Sequence, residues 1–207
     1  MLEQRIQQHF IDSADLKYQA AQALSHPIAA AVQAVLACVT SGGKVLACGN
    51  GPSAAEAQQF AAFCVAGFER ERPELAALAL TADSTLLTAA TAASQDVAQQ
   101  FARQVRALGQ AGDVLLALSV TGNDANLLAA TEAAHERDMT VVALTGARGG
   151  RLAQQLRDTD VHICVPTDVP ARILEVQHLV LHCICDGVDA QLLGLPDTLS
   201  NEMENPA

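Results

Sequence analysis

The chain has 207 residues, half of them hydrophobic, which suffices to bury the core of one domain and is short for two. Its net charge is −11 and it has only 12 lysine and arginine residues, which excludes direct binding to nucleic acid. Aromatic residues make up only 3% of the chain, so we expect a core of Ala, Leu and Val. One domain is predicted over residues 1–194, followed by a mobile acidic tail over residues 195–207.

The cysteines and the N-terminus indicate the compartment. All six cysteines lie in apolar stretches without CxxC spacing, which is typical of buried thiols in a reducing environment. The first ten residues lack the apolar segment of a signal peptide, and no apolar run reaches membrane-spanning length. We therefore predict a soluble, cytoplasmic protein without membrane contact.

Helical and apolar segments alternate along the chain. An amphipathic helix over residues 2–24 and an apolar helix over residues 28–39 are predicted before the first strand, with a break at Pro27. Five short apolar strands are predicted, at residues 45–48, 76–81, 114–119, 140–145 and 161–166. The helices between and after them begin near Ser53, Asp83, Gln95, Asp124 and Arg172, and the last one reaches Leu193. This alternation predicts the α/β class, with a five-stranded parallel sheet flanked by helices.

Two of the predicted strands end in loops that carry hydroxyl and amide side chains. The first loop is GNGPS at residues 49–53, and the second is SVTGND at residues 119–124. Glycine lets a ligand approach the backbone, and the free N–H groups at a helix start attract phosphate. Ligands of parallel sheets collect beyond the carboxyl ends of the strands, so we expect both loops to face one pocket.

The loops leave alternatives open. An ordinary strand-to-helix turn with a Ser cap would explain the first loop equally well. Neither loop has Walker spacing or a full GxGxxG, so no nucleotide cofactor is predicted.

Together, GNGPSA at residues 49–54 and SVTGN at residues 119–123 resemble the sugar isomerase (SIS) family, whose members bind phosphosugars at these two loops. The resemblance covers nearly the whole chain and implies a flavodoxin-like fold. It also implies a set of phosphosugar-binding residues: Asn50, Gly51, Ser53, Ser119, Thr121 and Asn123.

The sequence departs from the phosphoheptose isomerase branch of that family, whose members bind zinc and transfer protons. The branch's metal-binding His, its carboxylate and its Gln are replaced by Gln59, Phe63 and Leu174, while a His is kept as His182. Isomerisation needs a positioned base, and zinc needs three or four ligands. The resemblance therefore implies that the chain is not an enzyme and holds no metal or cofactor, with His182 and Glu175 as the remaining catalytic candidates.

The second loop also departs from the family at Asp124, where a Ser is usual. A carboxylate beside a phosphate weakens binding by like-charge repulsion. Asp124 could instead be an ordinary helix N-cap, and the sequence leaves open whether it abolishes phosphate binding.

Within the family, the sequence most resembles a cytoplasmic homotetramer that associates with the replication initiator DnaA. The resemblance implies partner binding through an apolar pair at the end of the last helix, held here by Leu192 and Leu193. These leucines could also belong to the core or to a subunit contact. The main hypothesis is a non-catalytic oligomer that binds DnaA and regulates the initiation of replication. A phosphoheptose isomerase that acts on sedoheptulose 7-phosphate with zinc, and a regulator that senses a phosphosugar, are the alternatives.

Overall fold

A computed structural model describes residues 1–94 and 96–195, without the side chains of residues 90, 91, 93 and 94. The tail predicted over residues 195–207 therefore lies outside the described residues, apart from Leu195.

The five strands form one parallel sheet, which confirms the predicted fold class. Their bounds are β1 (Val45–Gly49), β2 (Ala77–Ala79), β3 (Val114–Leu118), β4 (Thr140–Thr145) and β5 (Val161–Cys164). The strand order is β2-β1-β3-β4-β5, and every neighbouring pair is parallel. The chain leaves β1 in one direction to form β2 and returns on its other side to form β3. The carboxyl ends of β1 and β3 therefore flank the crevice where the order reverses, which is the usual ligand position in such sheets.

Helices cover both faces of the sheet. They are α1 (Leu2–Thr40), α2 (Pro52–Ala66), α3 (Ser84–Ser94), α4 (Gln99–Leu108), α5 (Ala125–Glu136), α6 (Gly150–Gln155) and α7 (Pro170–Leu193). Successive strand residues point to opposite faces, so the sheet has two apolar cores. One core joins it to α1, α2 and α7, and the other joins it to α4, α5 and α6.

The predicted break at Pro27 is wrong, because α1 continues through that residue. Proline removes one helical hydrogen bond, and this normally ends or bends a helix. Here the residues on both sides of it are held in the core: Leu24 and Ala31 are buried, and α1 packs along α7. Burial of these side chains offsets the lost bond. The prediction also missed α6, a helix of six residues that begins with Gly150.

The prediction that no segment reaches membrane-spanning length is also wrong for α1. This helix is long and apolar enough to cross a membrane by length and composition alone. Its buried residues, including Val35 and Cys38, pack with the strands and α7 in one of the two cores. These contacts bury 28% of the most apolar window of the helix.

Candidate functional site

The first loop is a tight turn that brings the start of α2 against the end of β1. The Ser53 N–H donates to the Asn50 carbonyl at 3.1 Å, and the Ala54 N–H donates to the Gly51 carbonyl at 3.0 Å. A Cβ on Gly49 would lie 2.6 Å from the Ser53 carbonyl oxygen, so only glycine fits there. Ser53 is buried directly after this turn, with its hydroxyl at the positive end of the helix.

The second loop is held from two sides. Within it, the Gly122 N–H donates to the Ser119 hydroxyl at 2.7 Å. From outside, the start of α6 supplies two donors: the Leu152 N–H reaches the Gly122 carbonyl at 2.8 Å, and the Arg151 N–H reaches Asn123 Oδ1 at 3.0 Å. The helix that the sequence did not predict is therefore the one that fixes this loop.

The two loops lie side by side, as the sequence predicts. The Asn50 and Asn126 side-chain amides exchange two hydrogen bonds, at 2.9 and 2.8 Å. The Asn50 amide also donates to Asp124 Oδ1 at 3.0 Å. These contacts join the loop after β1 to the start of α5. Ser53 and Ser119 thus belong to two adjoining loops, each of which leads into a helix N-terminus.

Asp124 stands at the N-cap position of α5, but its side chain makes no capping hydrogen bond. One carboxylate oxygen accepts from Asn50 and the other accepts a short hydrogen bond from the Ser119 hydroxyl. The N-cap interpretation is therefore correct for the position and wrong for the side chain. The carboxylate faces the crevice between the two loops.

Glu56 is a site residue that the sequence reasoning missed. It lies one turn into α2, on the same buried face as Ser53, and is only 8% exposed. Burial raises the pKa of Glu56 to about 7, and a hydrogen bond with Ser53 opposes part of this rise. Its Oε2 atom has no hydrogen-bond partner among the residues that the structure describes. The signal in the sequence was its spacing of three residues from Ser53, which places both on one helix face.

Gln177 was missed as well, and it connects α7 to the second loop. Its Nε2 donates to the Ser119 carbonyl at 3.0 Å, and the whole residue is buried. Within the described part of the chain, its Oε1 has no hydrogen-bond partner. Buried acceptors are normally paired, so Gln177 Oε1 and Glu56 Oε2 are two acceptors next to the loops that suit the hydroxyl groups of a sugar.

His182 has aromatic neighbours in place of metal ligands. The Phe63 and Phe68 rings lie 5.6 and 5.1 Å from the His182 ring, measured between centroids, and the His178 ring lies 4.4 Å away. Burial, and then the neighbouring His178, lowers the pKa of His182, whereas Glu69 acts in the opposite direction.

These neighbours test whether zinc fits. In residues 1–94 and 96–195, no group of three or more His, Cys, Asp or Glu side chains is placed to hold a metal. Phe63, at the family's carboxylate position, points a ring at His182 and offers no lone pair. The residues present therefore do not fit the zinc ion of the family.

Three of the other predicted site residues, Glu175, Leu192 and Leu193, lie on α7 away from the loops, whereas Thr121 lies on the second loop. Glu175 accepts hydrogen bonds from Ser13 of α1 at 2.7 Å and from Arg172 at 2.6 Å. Leu192 and Leu193 are 36% and 39% exposed at the end of α7. Thr121 is exposed on the second loop, and its hydroxyl accepts from the Asn123 N–H at 3.3 Å.

The parallel sheet with two polar loops at the ends of β1 and β3 is typical of phosphosugar-binding α/β proteins, and comparison with known proteins identifies the family. A family profile for the SIS domain matches residues 8–146, so the chain belongs to the SIS domain family. It is 62% identical over 197 residues to the phosphoheptose isomerase of Methylibium petroleiphilum, covering 95% of this chain and 98% of that protein. It is 55% identical over 193 residues to the phosphoheptose isomerase of an Azoarcus species, covering 93% and 98%.

Two solved structures agree with these relatives. Phosphoheptose isomerase GmhA from Neisseria gonorrhoeae matches with a TM-score of 0.86 at 46% identity, covering 92% of this chain and 100% of that chain. A phosphoheptose isomerase from Francisella tularensis matches with a TM-score of 0.87 at 41% identity, covering 91% and 98%. Within the SIS family, this chain is therefore phosphoheptose isomerase-like.

These comparisons overturn two predictions. The main hypothesis of a non-catalytic DnaA-binding regulator is wrong, because the relatives with high identity over nearly the whole chain are named as isomerases. The prediction that the chain is not an enzyme is wrong for the same reason. The finer resemblance to an initiator-associating member has no support among them. The replaced residues at positions 59, 63 and 174 therefore bear on the mechanism and not on the class.

Proposed function

We propose that this chain is a phosphosugar isomerase that interconverts a ketose and an aldose, with a phosphoheptose, sedoheptulose 7-phosphate, as the ketose. The observation that carries the proposal is the 62% identity to a phosphoheptose isomerase over nearly the full length of both chains. The joined loops at the ends of β1 and β3 support it, because they combine hydroxyl groups with two helix N-termini.

We assign the phosphate group of the substrate to these loops. The residues that would surround it are Asn50, Gly51, Ser53, Ser119, Thr121 and Asn123. Backbone N–H groups and hydroxyls at helix starts bind phosphate well and do so without a basic side chain. The sugar carbons then extend from the loops toward α7, where Gln177 Oε1 can accept a hydrogen bond from a sugar hydroxyl.

We assign the proton transfer to Glu56. The reaction moves a proton between neighbouring carbons: a base removes it from the carbon beside the carbonyl and returns it to the former carbonyl carbon. The carbonyl oxygen gains a proton and the hydroxyl oxygen on the neighbouring carbon loses one, both exchanged with water. A base for this step works best with a pKa near the operating pH, and the pKa of Glu56 is about 7. Glu175 is the second candidate, but its Oε2 already accepts from Ser13 and Arg172. Zinc has no part in this proposed step, because the residues present do not fit it.

We also propose a cytoplasmic homo-oligomer, with the tetramer as its form. The first half of α1 exposes apolar side chains along its length: Leu2, Ile6, Phe10, Ile11 and Tyr18. A stripe of this size on a soluble protein favours contact with a second copy of the chain.

Turnover of sedoheptulose 7-phosphate by the purified full chain, followed by NMR of the aldose product, tests the proposal. We expect activity in the wild type that rises with pH through about 7, as Glu56 ionises. Glu56→Gln should lower kcat at least about a hundredfold, the usual range for loss of a general base. Glu74→Gln, a matched change on the exposed surface, should leave kcat unchanged.

The same assay separates the proposal from its alternatives. Full activity in Glu56→Gln together with a loss in Glu175→Gln would move the base to Glu175. Saturable binding of the sugar phosphate without turnover would instead favour a phosphosugar-sensing regulator, which the aromatic ring of Phe63 beside His182 also favours. If the chain neither binds nor converts sedoheptulose 7-phosphate, the proposal of an isomerase is refuted.

A further inference from the structure

We propose that Asp124 is an anion built into the phosphate site, and that its carboxylate competes with the phosphate of the substrate for the same hydrogen-bond donors. This inference rests on the proposed function, because it concerns how tightly that site binds phosphate. It makes Asp124 the residue that sets phosphate affinity in this chain.

The donors that would meet a phosphate are already engaged by this side chain. The Ser119 hydroxyl donates to one Asp124 oxygen, and the Asn50 amide donates to the other at 3.0 Å. Both donors lie just beyond the carboxyl ends of the neighbouring strands β1 and β3. A carboxylate that accepts from both loops resembles one edge of a phosphate group in charge and in hydrogen bonding.

The remaining polar groups offer little to replace them. Ser53 is buried, with only 2% of its surface exposed, and the Asn123 side chain bonds the Thr121 carbonyl and the Arg151 N–H. A phosphate that binds the Ser119 hydroxyl must therefore share it with Asp124 or displace the carboxylate. Sharing one hydroxyl brings the two anions within about 5 Å of each other.

The carboxylate is not needed to build the helix. Asp124 makes no side-chain cap, and the first turn of α5 is closed by its backbone carbonyl, which accepts from the Leu127 and Leu128 N–H groups at 3.1 and 3.0 Å. Replacing the carboxylate by an amide of the same shape should therefore leave the loop and the helix in place. The charge at this position can then be tested separately from the fold.

Calorimetric titration of the full chain with inorganic phosphate measures the effect. Removing a like charge within about 5 Å should lower the Kd for phosphate at least about tenfold in Asp124→Asn. Asp158→Asn removes the same charge from an exposed residue that precedes β5, at the amino-terminal end of that strand and away from the carboxyl ends that carry the loops. This control should stay within about twofold of the wild type, because salt screens distant charges.

An Asp124→Asn variant that folds and binds phosphate no more tightly than the wild type overturns the inference. If this variant fails to fold by circular dichroism, Asp124→Ser replaces it under the same criterion. Turnover of sedoheptulose 7-phosphate by the wild type is measured separately. Tighter phosphate binding in the variant supports the role of Asp124 even where turnover is absent, whereas unchanged binding overturns it even where turnover is present.

Discussion

Glu56→Gln should stabilise the protein at alkaline pH while it removes the proposed base. Glu56 is buried, with 8% of its surface exposed, and burial raises the pKa of its carboxyl group from an ordinary value of 4.5 to about 7. At about 1.4 kcal/mol per pKa unit, this rise means that ionising Glu56 costs the folded chain about 3 kcal/mol more than the unfolded chain. A glutamine at this position does not ionise, so the variant avoids that cost.

The direction of the pH dependence follows from proton binding. The folded chain holds the Glu56 proton more tightly than the unfolded chain, so the contribution to stability is fully present below pH 4.5. It decreases as the pH rises and is lost above about pH 7. We therefore expect the free energy of unfolding of Glu56→Gln, relative to the wild type, to rise by about 3 kcal/mol between pH 4.5 and pH 8.

Urea unfolding at several pH values between 4.5 and 8 measures this difference directly. Glu74→Gln serves as the control. Because Glu74 is exposed, the stability of this variant relative to the wild type should be the same at every pH. If the difference in the free energy of unfolding between Glu56→Gln and the wild type stays constant with pH, the raised pKa of the buried Glu56 carboxyl group is refuted. Greater stability together with lost turnover would be the trade-off typical of active-site residues.

Two further predictions concern the framework of the site. Arg72→Leu should cost about 3–5 kcal/mol in thermal unfolding, because it leaves the buried carboxylate of Asp189 without its cation. The double variant Arg72→Leu/Asp189→Leu should recover part of this loss, and a single variant as stable as the wild type would contradict the prediction. Gly122→Ala should lower the Tm strongly, because its Cβ would lie 1.9 Å from the Gly149 carbonyl oxygen. Gly42→Ala is the control, because Gly42 also has a positive φ but a Cβ there would meet no described atom within 4 Å. This change should cost only about 1–2 kcal/mol. Equal losses of stability in the two variants would show that the positive φ, and not the clash, sets the cost.

Much of the fold could be predicted because local patterns specify it. The apolar run at residues 140–145 matches β4 to the residue, and the loops were located by their glycines and hydroxyls. That the two loops are adjacent could be predicted from the rule that ligands of parallel sheets bind beyond the carboxyl ends of the strands. The prediction did not depend on knowing the contacts of Asn50. Signals of this kind extend over a few residues and survive without tertiary context.

What the sequence could not give depends on contacts between distant segments. α1 continues through Pro27 because of its packing on α7, about 150 residues further along the chain. Glu56 resembles any polar residue on a helix until its burial is known. The prediction of a non-enzyme followed from replaced residues alone, and replacement at a few positions does not outweigh likeness along the whole chain.

Zinc binding is the property by which an experiment can distinguish this chain from other members of its family. Gln59 and Phe63 of α2 and Leu174 of α7 stand at the family's ligand positions, beside the retained His182. Since zinc needs three or four N, O or S ligands, we expect wild-type protein dialysed after zinc loading to retain none, with turnover unaffected by a chelator. The variant Gln59→His/Phe63→Glu/Leu174→Gln should instead retain about one zinc per chain, because its new donors surround His182. Adding His182→Ala to that variant is the control and should weaken the retention. Elemental analysis measures the zinc that each variant retains. One zinc per chain retained by the wild type would contradict the prediction, because it would show that other residues bind the metal and that the rings of Phe63 and Phe68 beside His182 do not exclude it.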